Sequence, residues 1–308
     1  MIMLRWLLRG GLILFLLVTT AGAQNRSIWR NLSVAPFNIY HQPEDSLNAE
    51  AVARILREEF PLVQYDLDVA LDTPVGIFIA PSYQSYLRLT GGAIPHWGEA
   101  VADPQKQIIV LKSPRWARSS GTLKTLVMHE VMHIVLGQMT DHAPLPRWFN
   151  EGVAIYFSGE PGYLEGRIIS RAQVANQLIP LDAIDAVLTF QQGKAHLAYF
   201  ESFLAVSFMV EQYGESAIRE LLETVRRVRD FRYAFQKTFG QTLPAFEREW
   251  RFYLEKKYRW SIFLEFDTLL WLGIIVLFLL IFIIILIRNR RTMARWEAED
   301  SGLPPASE

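Results

Sequence analysis

Apolar positions divide the 308-residue chain into three stretches of different pattern. Near the start, an unbroken run from Gly10 to Val18 follows Arg5 and Arg9. Near the end, Thr268 to Ile287 forms a second run of 20 residues without a charge. Between them apolar and polar residues interleave as in a water-soluble domain. Ser33 to Tyr40 is strand-like, with turn signals around Pro43, and Val75 to Ile79 is a short strand of the buried type. Ser46 to Phe60 puts Ala49, Val52, Ala53, Leu56 and Phe60 on one face at helical spacing. A helical turn after Pro81 stops at Gly91-Gly92; a loop over 93–105 and a strand from Gln107 to Leu111 follow. From Gly121 onward the pattern is helical, at about 122–136 with a stop near Gly137, then 146–157, 195–213, 215–229 and 243–258. Strands early and helices late predict an α+β fold: a small N-terminal mixed sheet with helices, then a helical C-terminal half.

The two unbroken runs do not belong to that core. Arg5 and Arg9, a short apolar stretch and the small residues Ala21-Gly22-Ala23 are the parts of a secretory signal peptide, residues 1–23. An uncleaved signal anchor is the other reading of the same segment. As a helix rising about 1.5 Å per residue, 268–287 covers the roughly 30 Å hydrocarbon core of a bilayer, and it lacks the polar stripe of a core helix. Arg288, Arg290 and Arg291 follow the span, whereas Glu265 and Asp267 precede it. The positive-inside rule therefore predicts a single-pass protein of the cell membrane. Its 288–308 tail is cytoplasmic, and residues 24–267 are extracytoplasmic, either periplasmic or extracellular. Trp260, Phe263, Phe266 and Trp271 suit the outer interface. The tail is polar, carries Pro304-Pro305 and reads as unstructured.

Composition then removes whole classes of function. Lys and Arg number 31 against 32 Asp and Glu, and within 24–267 the 25 basic and 28 acidic residues leave −3. That balance excludes the usual electrostatic nucleic-acid binder. The absence of cysteine excludes a disulfide scaffold, a thiolate metal site and a thiol nucleophile.

Residues 129–133 read His-Glu-Val-Met-His. On a helix, residues four apart lie about 40° apart around the axis and ~6 Å along it, so His129 and His133 project from one face and can take two sites on one Zn²⁺. Glu130 beside them can reach a metal-bound water as general base. Three fixed residues at this spacing arise by chance in on the order of one chain in a hundred of this length. The motif therefore needs a third ligand to carry weight. Glu151, 18 residues after His133 in Pro-Arg-Trp-Phe-Asn-Glu-Gly-Val-Ala-Ile-Tyr-Phe, is the candidate, with a plain helix pairing as its alternative. His142 does not fit the H-E-x-x-H-x-x-G-x-x-H pattern, because Leu136 and Met139 stand where Gly and His are required. Asn150 is either an orienting partner of a ligand or a helix-start residue.

HEVMH followed by WFNEGVAIYF resembles the gluzincin metallopeptidases, in particular the peptidase MA-like family and, more distantly, aminopeptidase N-like enzymes. The resemblance spans roughly 75–258, with 198–258 similar to that family's helical half. It implies a zincin-like domain in which His129, His133 and Glu151 bind zinc and Glu130 is the base. It also implies an oxyanion donor on the helical half, for which Tyr199 is the first candidate and Tyr156 the second; His196 and His96 are weaker. By the same analogy, the strand Gln107–Leu111 would be the edge that pairs with extended substrate. Two departures matter. Ile155 stands where thermolysin-like enzymes have an Asp, so another group must orient the histidines. The loop GGAIPHWG, Gly91 to Gly98, lacks the acid of the aminopeptidase G-x-M-E-N loop, which favours an endopeptidase.

The expectation is thus a membrane-anchored zinc metallopeptidase, a hydrolase acting on a peptide or protein substrate through a Glu-activated, zinc-bound water. The alternative is a metal-binding, membrane-tethered interaction or assembly module of the same fold without catalysis.

Overall fold

The computed structural model describes residues 28–92, 98–117, 121–159, 169, 172, 175, 177–258 and 266–300. Residues 1–23, expected to be a signal peptide, together with His96, Trp260, Phe263 and Pro304-Pro305, lie outside the described residues.

Five strands form one mixed sheet. The expected first strand is a hairpin: β1 (Arg30–Val34) and β2 (Phe37–His41) pair antiparallel around Ala35-Pro36. Next to β2 lies β3 (Val75–Ala80), parallel to it, and then β5 (Ile108–Lys112), again parallel. The other edge is β4 (Ala100–Asp103), antiparallel to β5, so the order is β1-β2-β3-β5-β4. The 93–105 stretch, expected to be a loop, therefore supplies the edge strand, and Gln107–Leu111 is interior rather than the edge. Ala100 to Asp103 has little strand propensity of its own; pairing with β5 makes it a strand.

Helix α1 (Ser46–Leu67) joins β2 to β3 and buries Ala49, Val52, Ala53, Leu56 and Phe60 as expected. It runs past Phe60 through Pro61, because Val63 and Leu67 continue the apolar stripe into the core and outweigh the backbone hydrogen bond that proline cannot donate. Helix α2 (Tyr83–Thr90) lies on the other face, where Tyr86 packs with Ala80 and Val110.

The helical half is built on α3 (Leu123–Met139), α4 (Arg147–Ser158) and α5 (Gln192–Tyr213). A 3₁₀ segment, Leu181–Thr189, precedes α5. Helices α6 (Ala217–Val228), α7 (Phe231–Phe239) and α8 (Leu243–Tyr258) complete the domain. Two glycines set the close contacts. A Cβ on Gly137 of α3 would stand 2.6 Å from Pro104 Cβ of the β4–β5 turn. One on Gly152 of α4 would strike the backbone carbonyl of Ser202 and come within 2.7 Å of Val206 on α5. Trp148 and Phe149 anchor α4 from behind, Trp148 stacking on Phe246 at 6.2 Å and Phe149 lying 5.1 Å from Phe231.

Helix α9 (Phe266–Asp300) is long and apolar enough to cross a membrane. It continues as helix through 288–300, where an unstructured tail was expected. That stretch, Arg-Asn-Arg-Arg-Thr-Met-Ala-Arg-Trp-Glu-Ala-Glu-Asp, contains no Gly or Pro and is rich in helix formers.

Candidate metal centre

Thr122 starts α3: its hydroxyl accepts from the Thr125 N–H at 3.1 Å, satisfying one of the donors a helix N-terminus leaves open. From there the helical period carries His129 and His133 to one face, with ring centroids 4.8 Å apart. Helix α4 has Pro146 at its N-cap position, which offers no side-chain cap. Asp185 of the 3₁₀ segment supplies the acceptor instead, taking the Arg147 N–H at 2.8 Å. The start of α4 then aims Arg147, Asn150 and Glu151 toward α3.

These elements bring His129, His133 and Glu151 together. Nε2 of His129 lies 3.4 Å, and Nε2 of His133 3.6 Å, from Oε2 of Glu151. Each residue offers one donor atom, and all three donors fall within 4.8 Å of one another, so the group could hold a metal ion. Around a tetrahedral ion with bonds of about 2.0–2.1 Å, neighbouring donors stand about 3.3 Å apart. The donor set and its spacing therefore fit such an ion with little movement.

The surroundings orient these donors. Oδ1 of Asn150 lies 2.8 Å from Nδ1 of His133. A carboxamide oxygen can only accept, so Nδ1 carries the proton and Nε2 keeps its lone pair for a metal. Asn150 is thus the orienting partner rather than a helix cap, and it makes up for Ile155, which is buried. Nη1 of Arg147 donates to Oε1 of Glu151 at 3.2 Å, leaving Oε2 directed at the histidines. Arg147 escaped the sequence reading, although its i,i+4 spacing to Glu151 was the available signal. The Asp185 cap has no local signal.

Charge follows from this geometry. Burial works to raise the Glu151 carboxyl, but the hydrogen bond from His129 and the charges of His133, His129 and Arg147 outweigh it and hold it down, at about 2. Glu130 is pushed up, first by burial and further by Glu151, against the pull of His133, His129 and the Ala102 N–H. That last contact ties Glu130 to β4, the edge strand.

Tyr199 of α5 is half-buried. Its hydroxyl is pushed up first by burial and then by the charges of Glu151 and Glu130, with Arg147 opposing, so it feels the charges of the same cluster. Tyr156 is exposed, and the charges acting on it are those of Glu215 and Asp66. His196 is exposed on α5. His142 sits with Asn150 and His133 in the wall of a cleft of about 510 Å³ between β4, the C-terminal half of α3 and the 142–145 segment.

A five-stranded mixed sheet, an H-E-x-x-H helix and a glutamate on the next helix define a metallopeptidase-like domain. The chain belongs to the Peptidase MA superfamily, which it matches over residues 61–256. Among curated proteins it is similar to "Uncharacterized protein YhcO" of Bacillus subtilis (strain 168), at 22% identity over 139 residues. That match covers 42% of this chain and 41% of the relative, so the chain spans about two-fifths of that protein's length.

Proposed function

We propose that the protein is a membrane-anchored zinc metallopeptidase that cleaves peptide bonds outside the cytoplasm, with α9 as its anchor. The observation that carries this reading is the meeting of the His129 and His133 Nε2 atoms on one oxygen of Glu151, 3.4 and 3.6 Å away, with Glu130 beside them. Two imidazoles and one carboxylate suit Zn²⁺ and leave a coordination position open. Held there, zinc would supply Lewis acidity to the scissile carbonyl and to water.

The chain's own groups do the rest. Glu130 accepts a proton from the attacking water as its oxygen bonds to the carbonyl carbon. The Tyr199 hydroxyl donates a hydrogen bond to the carbonyl oxygen as that oxygen takes up negative charge. Glu130 then returns the proton to the amine as the C–N bond breaks. Strand β4, the edge beside Glu130, takes the substrate-pairing role that interior β5 cannot fill. An endopeptidase is favoured because Gly91 to Gly98 carries no acid to hold a substrate amine. Arg288, Arg290 and Arg291 after the span, against Glu265 and Asp267 before it, support a cytoplasmic C-terminus.

Glu130→Gln tests the chemistry. The variant is expected to keep one zinc per chain and to lose about 10²–10⁴-fold in peptide hydrolysis. A zinc-loaded variant as fast as the wild type would refute the base. A zinc-loaded wild type that cleaves nothing in a peptide library would point instead to a binding module.

A further inference from the structure

Helix α8 keeps two faces. Leu243, Phe246, Trp250 and Leu254 are buried at 8% exposure or less, at helical spacing. The opposite stripe, Arg248, Phe252, Glu255 and Lys256, is exposed, and Phe252 stands out at 69%. Arg248 and Lys256 have no ion-pair partner among the described residues, whereas Arg251 on the flank is engaged by Glu247 at 3.0 Å. The last turn of the helix carries Lys256 and Lys257. Only seven residues separate Tyr258 from Phe266, where α9 begins. Even fully extended, that link reaches at most about 28 Å.

We propose that this stripe of α8 lies on the bilayer, with Phe252 in the interfacial region and Arg248 and Lys256 against anionic phospholipid headgroups. The inference rests on α9 being the span. Three observations favour lipid over another protein as the occupant. The covalent link keeps the end of α8 within about 28 Å of the start of α9. The stripe pairs a bulky aromatic with two basic side chains against one acidic, Glu255, a net-basic combination of the kind that interfacial helices present to anionic lipid. The residues next in sequence, Trp260 and Phe263, are of interface-seeking type. The domain is then not a ball swinging on a tether but a body fixed at its α8 face.

The chain has no cysteine, so single labels report without background. The full-length protein would be spin-labelled at Glu255→Cys, which leaves Phe252, Arg248 and Lys256 in place. Leu279→Cys in the span and Leu47→Cys, at 79% exposure on α1, serve as references. Each is placed in nanodiscs of phosphatidylcholine alone or mixed equally with phosphatidylglycerol. The 255 label is expected to be at least about threefold less open to an aqueous nickel complex than the 47 label in the mixed lipid. Phe252→Ser, or Arg248→Glu with Lys256→Glu, is expected to release it. A 255 label as open as the 47 label, while the 279 label stays protected, overturns the docking and leaves the span intact. Equal protection in both lipids overturns the anionic partner. A 279 label open to nickel overturns the span reading, and the docking with it.

Discussion

Asn150 holds His133 from behind: its Oδ1 lies 2.8 Å from Nδ1, on the opposite side of the ring from the nitrogen that faces Glu151. The contact fixes both the ring plane and the tautomer, because an amide oxygen accepts only from a protonated Nδ1. Removing such a partner commonly costs 10–100-fold in metal affinity. Asn150→Ala is therefore expected to weaken zinc binding by about that factor, while Asn150→Asp, which keeps the acceptor, should hold it near the wild-type value. Competition against a chromophoric chelator measures both. Equal affinities for all three proteins would remove Asn150 from the site's design.

Gly152 joins Glu151 to the fold. It follows Glu151 directly, and a methyl group there would meet the Ser202 carbonyl and Val206 of α5. Backbone cannot rotate aside as a side chain can, so α4 would have to shift and take Glu151 with it. Gly152→Ala should cost about 1–3 kcal/mol of stability and weaken zinc binding together. Gly193→Ala is the matched control: it lies in the first turn of α5, where a Cβ would meet nothing within 4 Å, and alanine there should be neutral or mildly stabilising. A Gly152→Ala protein with the wild-type Tm would contradict the close packing of α4 on α5.

What the sequence made legible, and what it hid, follows from the range of the forces involved. His129 and His133 share a face because a helix repeats every 3.6 residues, which spacing alone reveals. The buried stripe of α1 was readable for the same reason. Strand β4 was not, since Ala100 to Asp103 is four residues of weak propensity whose partner β5 supplies the order. Mistaking that stretch for a loop also moved the sheet edge by one strand. Asp185 was hidden likewise: it caps α4 across 38 residues of sequence, and no local pattern marks such a contact. Helix α1 also runs beyond Phe60, where its readable stripe stops, because the buried Val63 and Leu67 outweigh the hydrogen bond lost at Pro61.

Metal binding should appear as stability even before a substrate is known. If zinc binds the folded site and not the unfolded chain, zinc in 100-fold excess over its dissociation constant adds about 2.7 kcal/mol. The Tm of the metal-stripped protein should rise on adding zinc, and chelation should reverse the rise. His133→Ala, which removes a donor, should abolish most of the response. A zinc-induced rise of the same size in that variant would place the metal elsewhere.

Glu201 offers a pH test away from the His129, His133 and Glu151 group. It is fully buried on α5, with both carboxyl oxygens 3.1 Å from the Ile179 N–H. Burial, opposed in part by that N–H and by Arg251 and aided by Glu247, pushes the carboxyl up to about 8. In the unfolded chain it titrates near 4.3. Below about pH 4 the group is neutral in both states and its contribution is fully present. As pH rises from there toward 8, the unfolded chain gives up the proton that the fold retains, so stability falls, and it levels off once the folded group ionises. At about 1.4 kcal/mol per unit, the loss is on the order of a few kcal/mol. Glu201→Gln keeps an acceptor for Ile179 but cannot ionise. It should therefore weaken less than the wild type as pH rises from 5 to 8, so that the gap between the two unfolding midpoints widens across that range. Urea titrations of the full chain in one detergent and at constant ionic strength would show this, and parallel pH profiles for the two proteins would refute it.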